Sequence, residues 1–164
     1  MIIRMATEKD LERIVEVYNQ SVPSMRSTGD MRPLSRKEQL PWFHSHKPDS
    51  NPLYVAETDG VIIGYNSLRR YRGSRAAFRY TLETSYYVDR IHNRKGIATS
   101  LMKQIFRDAP DLQIKTLLAF VLDNNTPSIC LLEKFGFQRW GFLPGVADFN
   151  GQERNHTLYG KKLT

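Results

Sequence analysis

The chain holds a single cysteine, Cys130, among its 164 residues. One thiol cannot close an internal disulfide, and its context decides between ligand, nucleophile and packing roles. Cys130 stands between Ile129 and Leu131 on an apolar helical stretch, which predicts core packing rather than chemistry. No apolar run approaches the roughly 18 residues that a membrane-crossing helix needs. Met1, Ile2, Ile3 and Arg4 are not followed by the apolar segment and small-residue cleavage site of a signal peptide. A cytoplasmic location with no membrane partner is therefore expected. Ligand clusters for a metal are missing as well. His44 and His46 form an H-x-H pair, but no cysteine or carboxylate cluster accompanies it at ligand spacing, so surface histidines and no metal are expected.

The composition that remains, 40% hydrophobic and 25% charged, belongs to a globular protein. The length suits one domain spanning residues 1–164. Twenty-four Lys and Arg against 17 Asp and Glu give a net charge of +7. That excess is concentrated: Arg69, Arg70, Arg72, Arg75, Arg79, Arg90, Arg94 and Lys95 lie in one stretch with only Glu83 and Asp89. A solvated basic surface would account for the run alone. A phosphate-bearing cofactor, a carboxylate substrate or a nucleic acid would account for it functionally.

The apolar periodicity orders the elements. Ile2 and Ile3 start a strand, Thr7 and Asp10 cap a helix, and Leu11, Ile14, Val15 and Tyr18 carry that helix to about Gln20. Between Ser21 and Asn51 the pattern breaks at Pro23, Gly29, Pro33, Pro41 and Pro48, as a lid or substrate loop would, with one short helix expected over Ser35 to His46. Leu53 to Glu57 and Val61 to Leu68 flank the turn residues Thr58, Asp59 and Gly60 and read as a hairpin. Arg79 to Val88 alternates as a third strand, with Tyr80, Leu82, Thr84 and Tyr86 on one face and Thr81, Glu83, Ser85 and Tyr87 on the other. A helix from Ile97 to before Pro110, a strand over Ile114 to Leu122, a helix opened by Thr126 and Pro127 and closed by Gly136, and strands over Phe137 to Val146 and Arg154 to Leu163 complete the chain. This order implies an α/β (α+β) domain with a mixed, mostly antiparallel sheet flanked by helices.

The passage from Val88 through Asn93, Arg94, Lys95, Gly96, Ile97 and Ala98 into a helix has the makings of an anion site. Glycine and a small residue admit a ligand to the backbone, the first-turn amides lack helical partners, and the helix dipole favours negative charge. The segment YYVDRIHNRKGIATSLMKQI resembles the acyl-CoA loop of the GNAT acetyltransferases, Arg/Gln-x-x-Gly-x-Gly/Ala, with Gly96 and Ala98 matching and Asn93 in the first position. Downstream, NNTPSICLLEKFGFQRWGF resembles the family's second motif through Asn125, Ser128, Glu133, Gly136 and Phe137. Arg75, Ala77, Phe78, Thr81, Glu83, Ser85, Tyr87 and Val88 are similar to a pattern of the phosphinothricin and methionine-sulfoximine N-acetyltransferases. The likeness spans the chain apart from Pro23 to Ser50.

The resemblance implies a GNAT fold and acetyl-CoA as cosubstrate, bound through Tyr86, Tyr87, Val88, Asn93, Arg94, Lys95, Gly96, Ile97, Ala98, Thr99, Asn125 and Ser128. It implies Glu83 as the base, direct or through water, and a backbone amide near Tyr87 or Val88 for the thioester carbonyl if the strands splay there. Against the basic role of Glu83 stands a structural pairing with Arg75 or Arg79. The acceptor expected is a small amino-acid-like amine held by Arg75, Phe78, Glu83 and Ser85, with the arginine taking its carboxylate. A protein N-terminus, a polyamine, an antibiotic amine, or a silent module binding nucleic acid are the competing readings. Relatives imply a homodimer. Leu132 occupies the position where many GNAT enzymes carry the tyrosine that protonates the leaving thiolate, so the source of that proton is open.

Overall fold

The computed structural model describes residues 1–73 and 75–164. Its elements are β1 (Ile2–Met5), α1 (Leu11–Asn19), α2 (Arg36–His44), β2 (Leu53–Thr58), β3 (Val61–Arg70), β4 (Thr81–Val88), α3 (Ile97–Asp108), β5 (Thr116–Leu122), α4 (Thr126–Lys134), β6 (Gln138–Phe149) and β7 (Gln152–Lys162). The expected α/β (α+β) layering is present: one seven-stranded sheet in the order β1-β2-β3-β4-β5-β7-β6, with helices on both faces. Among the described residues no helix is long and apolar enough to cross a membrane.

Local chemistry sets the element ends. The Thr7 amide donates to Asp10 Oδ2 at 2.7 Å, opening the first helical turn, and Arg4 fixes the same carboxylate from β1 at 2.7 Å. Ser35 and Glu38 form a reciprocal cap at the start of α2, with bonds of 3.2 and 2.8 Å. Asp59 and Gly60 both adopt positive φ, 51° and 76°, the geometry a two-residue hairpin between right-twisted strands requires.

Two apolar clusters use the two faces of the sheet. Leu82, Leu117, Ala119, Val121 and Tyr159 pack with Ile97, Leu101, Met102 and Ile105 of α3 and Leu132 of α4. Ile14 and Val17 of α1, with Trp42 and Phe43 of α2, pack on Leu53, Val55, Tyr65 and Tyr87 from the opposite face. Burial of these side chains at roughly 25 cal/mol per Å² is the main force holding the layers.

The segment 21–51 contains the expected short helix: α2 docks on α1 through Trp42 and Phe43, and the first part of the segment borders the cavity described below. Several expectations are corrected. β4 begins at Thr81, because Ala76–Phe78 turn once as a 3-10 helix before it. The last two strands are longer than their apolar pattern and meet at Asn150 and Gly151, again with positive φ. Cys130 is exposed, since α4 turns Ile129 and Leu132, three residues apart, toward the core and Cys130 away from it. His46 is no surface histidine. Its ring meets Trp42 edge-on, Nδ1 lies 2.9 Å from the Trp42 carbonyl oxygen, and burial lowers its pKa below the usual value.

Candidate active site

The site follows from one irregularity in the sheet. Every neighbouring pair of strands is antiparallel except β4 and β5, which run parallel and pair only over Thr81–Glu83 with Thr116–Leu118. Beyond Glu83 and Leu118 the two strands part, and a cavity of about 1000 Å³ lies where the sheet opens.

Strand parity assigns what each residue of β4 offers to that opening. The Tyr71 amide donates to the Thr81 carbonyl and the Asp89 amide to the Ile63 carbonyl, so odd-numbered residues of β4 direct their backbone groups to β3. Even-numbered residues direct theirs toward β5. In the splayed part, the amides of Tyr86 and Val88 therefore face the cavity without a ladder partner on that side, whereas the Tyr87 amide is turned to β3. The expected strand separation is present, and the amides it leaves free are those of Tyr86 and Val88 rather than Tyr87.

Side chains divide the same way. Glu83, Ser85 and Tyr87 project to the α1 and α2 face, where Tyr65 and Tyr87 stack with ring centroids 5.4 Å apart. Thr84, Tyr86 and Val88 project to the α3 and α4 face. On β5, Ala119 and Val121 share the latter face and Phe120 and Leu122 the former. Register pairs His156 of β7 with Leu122, which puts its ring beside Phe120 (5.3 Å between centroids) on the face of Glu83. Burial lowers the pKa of His156 and the Glu83 charge raises it, with burial the larger influence.

At the other end of the cavity α3 begins. Gly96 is its N-cap residue with φ +79°, and a Cβ there would meet no atom within 4 Å. The left-handed backbone is what asks for glycine at this position, and the open space in front of it leaves the first amides of α3 accessible. Asp89 underpins the loop: it is buried, caps the Ile91 amide at 3.3 Å, and forms an ion pair with Arg13 of α1. The Arg90 amide donates to Gln20 at 2.9 Å. Asn125 caps α4 through a 3.4 Å bond from the Ser128 amide.

A third wall comes from residues 25–30. Tyr87 donates to the Ser27 carbonyl at 3.1 Å, Tyr18 bonds Thr28 and Asp30, and Asn124 reaches across to the Met25 carbonyl at 3.3 Å. This strap carries Arg26 and Thr28 to the cavity.

Of the residues singled out in the sequence, Glu83, Ser85, Tyr86, Tyr87, Val88, Asn93, Arg94, Gly96, Ile97, Ala98, Thr99, Asn125 and Ser128 all line this one cavity. Lys95, Arg75 and Phe78 are exposed and do not, Phe78 being packed edge-on against Tyr71 on the turn before β4. Glu83 does not pair with Arg75 or Arg79; its ionic neighbour is Arg69, 3.8 Å away. Arg26, Arg69 and His156 were not foreseen. Arg69 was accessible from the hairpin pattern, since β3 and β4 place it opposite Glu83, whereas His156 and Arg26 carry no local signal. Among the described residues no group of three or more His, Cys, Asp or Glu side chains is placed to hold a metal.

A splayed parallel pair with an accessible helix N-terminus at its mouth is suited to a long ligand with an anionic end, entering along α3 and α4. The acetyltransferase (GNAT) family profile matches residues 11–137. The chain belongs to this family. It is an acetyl-CoA-dependent N-acetyltransferase by its fold and its relatives. YwnH of Bacillus subtilis (strain 168), whose name assigns it provisionally to the phosphinothricin acetyltransferases, is 36% identical over 165 residues, covering 100% of each chain. The L-methionine sulfoximine/L-methionine sulfone acetyltransferase of Salmonella typhimurium (strain LT2) is 31% identical, over 89% of this chain and 85% of that one. Among solved structures, the GNAT superfamily phosphinothricin acetyltransferase of Sinorhizobium meliloti, in complex with acetyl-CoA, superposes with a TM-score of 0.90 at 25% identity, over 98% of this chain and 87% of that one.

The acetyltransferase's own residues suit acetyl-CoA. Gly96 leaves the α3 amides open to a diphosphate, Arg94 and Arg90 bring positive charge to the same lining, and the free amides of Tyr86 and Val88 lie where an extended arm would run.

Proposed function

We propose that this acetyltransferase moves the acetyl group of acetyl-CoA to the primary amine of a small amino-acid-like acceptor, of the phosphinothricin or methionine sulfoximine type, by direct attack in a ternary complex. The observation that carries this reading is the pairing of Glu83 with Arg69 on the α1 face of the opening, with Arg26 on the strap above. A carboxylate beside two guanidinium groups suits an acceptor bearing both an ammonium and a carboxylate. A purely cationic acceptor such as a polyamine would face the arginines without compensation. Glu83 is assigned as the base, Arg69 and Arg26 as the carboxylate partners in place of Arg75, which lies outside the cavity lining as Phe78 does, and Ser85 as a hydrogen-bonding neighbour of the amine. The diphosphate is assigned to Arg94, Gly96, Ile97, Ala98 and Thr99 with Asn93 beside them, and the pantetheine arm to the backbone amides of Tyr86 and Val88 with Asn125 and Ser128; Tyr87, turned to β3 and the opposite face, is left out of it.

The acceptor loses a proton to Glu83, directly or through water, and the neutral nitrogen attacks the thioester carbonyl. The Val88 amide stabilises the oxygen as it takes charge. A homodimer in the cytoplasm is proposed as the working form: β6 is a sheet edge, and Trp140, Phe142, Leu143 and Val146 stand on it more than 40% exposed. Incubation with acetyl-CoA and a panel of free amino acids, methionine sulfone, methionine sulfoximine and phosphinothricin, followed by thiol release, tests the acceptor. Turnover of the panel and a lowered kcat/KM in Arg69→Ala are expected. Acetyl-CoA binding without turnover of any member would refute the acceptor class, and steep salt-dependent binding to DNA or RNA in its place would favour the silent-module reading.

A further inference from the structure

Thioester aminolysis needs a proton for the departing sulfur, and α4 offers none at the expected position. Leu132 lines the cavity and is fully buried, so its place in the wall is occupied by hydrocarbon. On the same face, one strand away, stands a hydroxyl. Tyr86 projects from β4 toward α4 and packs against the cluster that contains Leu132. It lines the same cavity, and its Oη lies 3.4 Å from the Ser128 carbonyl in the first turn of α4.

We infer that Tyr86 is the general acid of the transfer, delivering its phenolic proton to the CoA sulfur from β4 in place of a donor on α4. The inference rests on the reading that the cavity holds the acetyl thioester. The helix N-termini that suit the diphosphate and the pantetheine arm lie on the α3 and α4 face, as Tyr86 does, so its hydroxyl stands on the side by which the thioester enters. Glu83 and His156 occupy the opposite face, by which the amine approaches. The bond to Ser128 is long for an O–H···O contact, ordinarily about 2.7–2.8 Å, so the hydroxyl gives up little in turning to the sulfur. Burial raises the Tyr86 pKa to about 12, which keeps the proton on the oxygen until a thiolate develops beside it.

The step balances without a further reactant. The nitrogen lone pair forms the C–N bond, the C–S bond breaks with its electron pair going to sulfur, and the Tyr86 proton converts the thiolate to the thiol. Over the cycle the acceptor ammonium sheds two protons to solvent by way of Glu83, and the tyrosinate recovers one from water. The products are the N-acetyl compound, free CoA thiol and one released proton.

Tyr86→Phe removes one oxygen and keeps the ring that packs on the core. Single-turnover chemistry in this variant should fall about 10²-fold, while the acetyl-CoA Kd measured by calorimetry and the acceptor KM stay within twofold of the parent protein. The solvent deuterium isotope effect on the chemical step should shrink with it. An unchanged rate would overturn the assignment. A weaker acetyl-CoA Kd with the chemical rate preserved would reduce Tyr86 to a binding residue and overturn it equally. His156→Gln is run beside it: loss of the isotope effect there and not in Tyr86→Phe would move the role to His156. The proton concerns the sulfur alone, so if the parent protein turns over another amine, the amino-acid reading fails and this comparison proceeds with that amine.

Discussion

Gly96 offers a test in which the cost to the fold and the cost to the ligand can be separated. Its φ of +79° lies in the left-handed region, and a Cβ built on it would touch nothing within 4 Å. Gly96→Ala therefore introduces no clash; its cost to the fold is the backbone conformation alone, about 1 kcal/mol. For a chain of this size that corresponds to a fall in Tm of about 2–4 °C. The ligand is affected differently. A methyl group in the open space before α3 stands where a diphosphate would meet the first amides, and the loss of one hydrogen bond to a charged group costs about 1.5–3 kcal/mol, or roughly a 10- to 150-fold rise in acetyl-CoA Kd. Gly151 supplies the control: it also has positive φ, at 90°, and open space around its Cβ position, but lies in the β6–β7 turn outside the cavity lining. Gly151→Ala should match the loss in Tm and leave Kd unchanged. Thermal denaturation and calorimetric titration of both variants decide the matter. Equal Kd values for Gly96→Ala, Gly151→Ala and the parent protein would refute the placement of the diphosphate at the start of α3.

Glu83→Gln keeps the shape of the side chain and removes its basicity, so kcat should fall about 10²–10⁴-fold with little change in acetyl-CoA Kd; retention of more than a tenth of the activity would exclude Glu83 as the base. Asp89→Asn leaves Arg13 without its buried partner, and chemical denaturation should register a loss of about 3 kcal/mol, the low end for such a break because Arg13 keeps Glu16 at 2.9 Å. The loop before α3 would loosen with it, so acetyl-CoA should bind several-fold more weakly; unaltered affinity would show that the Arg13 anchor serves stability alone. His46 has a folded-state pKa lowered by burial, and protons therefore bind the unfolded chain more readily. Its contribution is present above the ordinary histidine value near 6.5 and is lost as pH falls through the lower folded value. Denaturation midpoints measured from pH 7.5 down to pH 5 should fall more steeply for the parent protein than for His46→Gln, and parallel curves would contradict the burial argument.

The elements were legible because their signals are local. Thr7 and Asp10, Ser35 and Glu38, and Asp59 and Gly60 each fix a helix start or a turn within four residues, and the structure contains all three. The part of the cavity lining at the start of α3 was legible for the same reason, since Val88 to Thr99 is one continuous piece of chain. The lining around Glu83 was not. Arg69 faces Glu83 through the β3–β4 register, His156 reaches the cavity only after β7 has inserted between β5 and β6, and Arg26 arrives on a strap held by Tyr18 of α1, Tyr87 of β4 and Asn124 of the turn before α4. Arg75 and Phe78 sit close to Glu83 in sequence but are carried away by the 3-10 turn that precedes β4. Cys130 and His46 show the limit of composition: the rotation of α4 exposes Cys130, whereas His46, just past the end of α2, is covered by its contact with Trp42.

The parity of β4 ties these pieces together. An antiparallel ladder with β3 leaves every second residue's backbone groups for the other side, and the parallel pairing with β5 stops after Glu83. From that point one strand does four things in sequence order. Glu83 projects toward the α1 and α2 face, Tyr86 projects a hydroxyl toward the α3 and α4 face, the Tyr86 and Val88 amides face the gap, and Asp89, directly after the strand, anchors the loop before α3 to α1. A one-residue shift of register would exchange the two faces and turn the free amides toward β3. The short β4–β5 pairing at Thr81–Glu83 is thus the element that sets the proposed base, acid and carbonyl donor relative to one another. Substitutions that weaken it, such as Leu82→Ala in the buried part of that pairing, should lower the chemical rate by more than their effect on acetyl-CoA affinity, because α3 shares its core cluster with Ile63, Leu117 and Ala119 as well as Leu82, and its loop is anchored by Asp89 on Arg13.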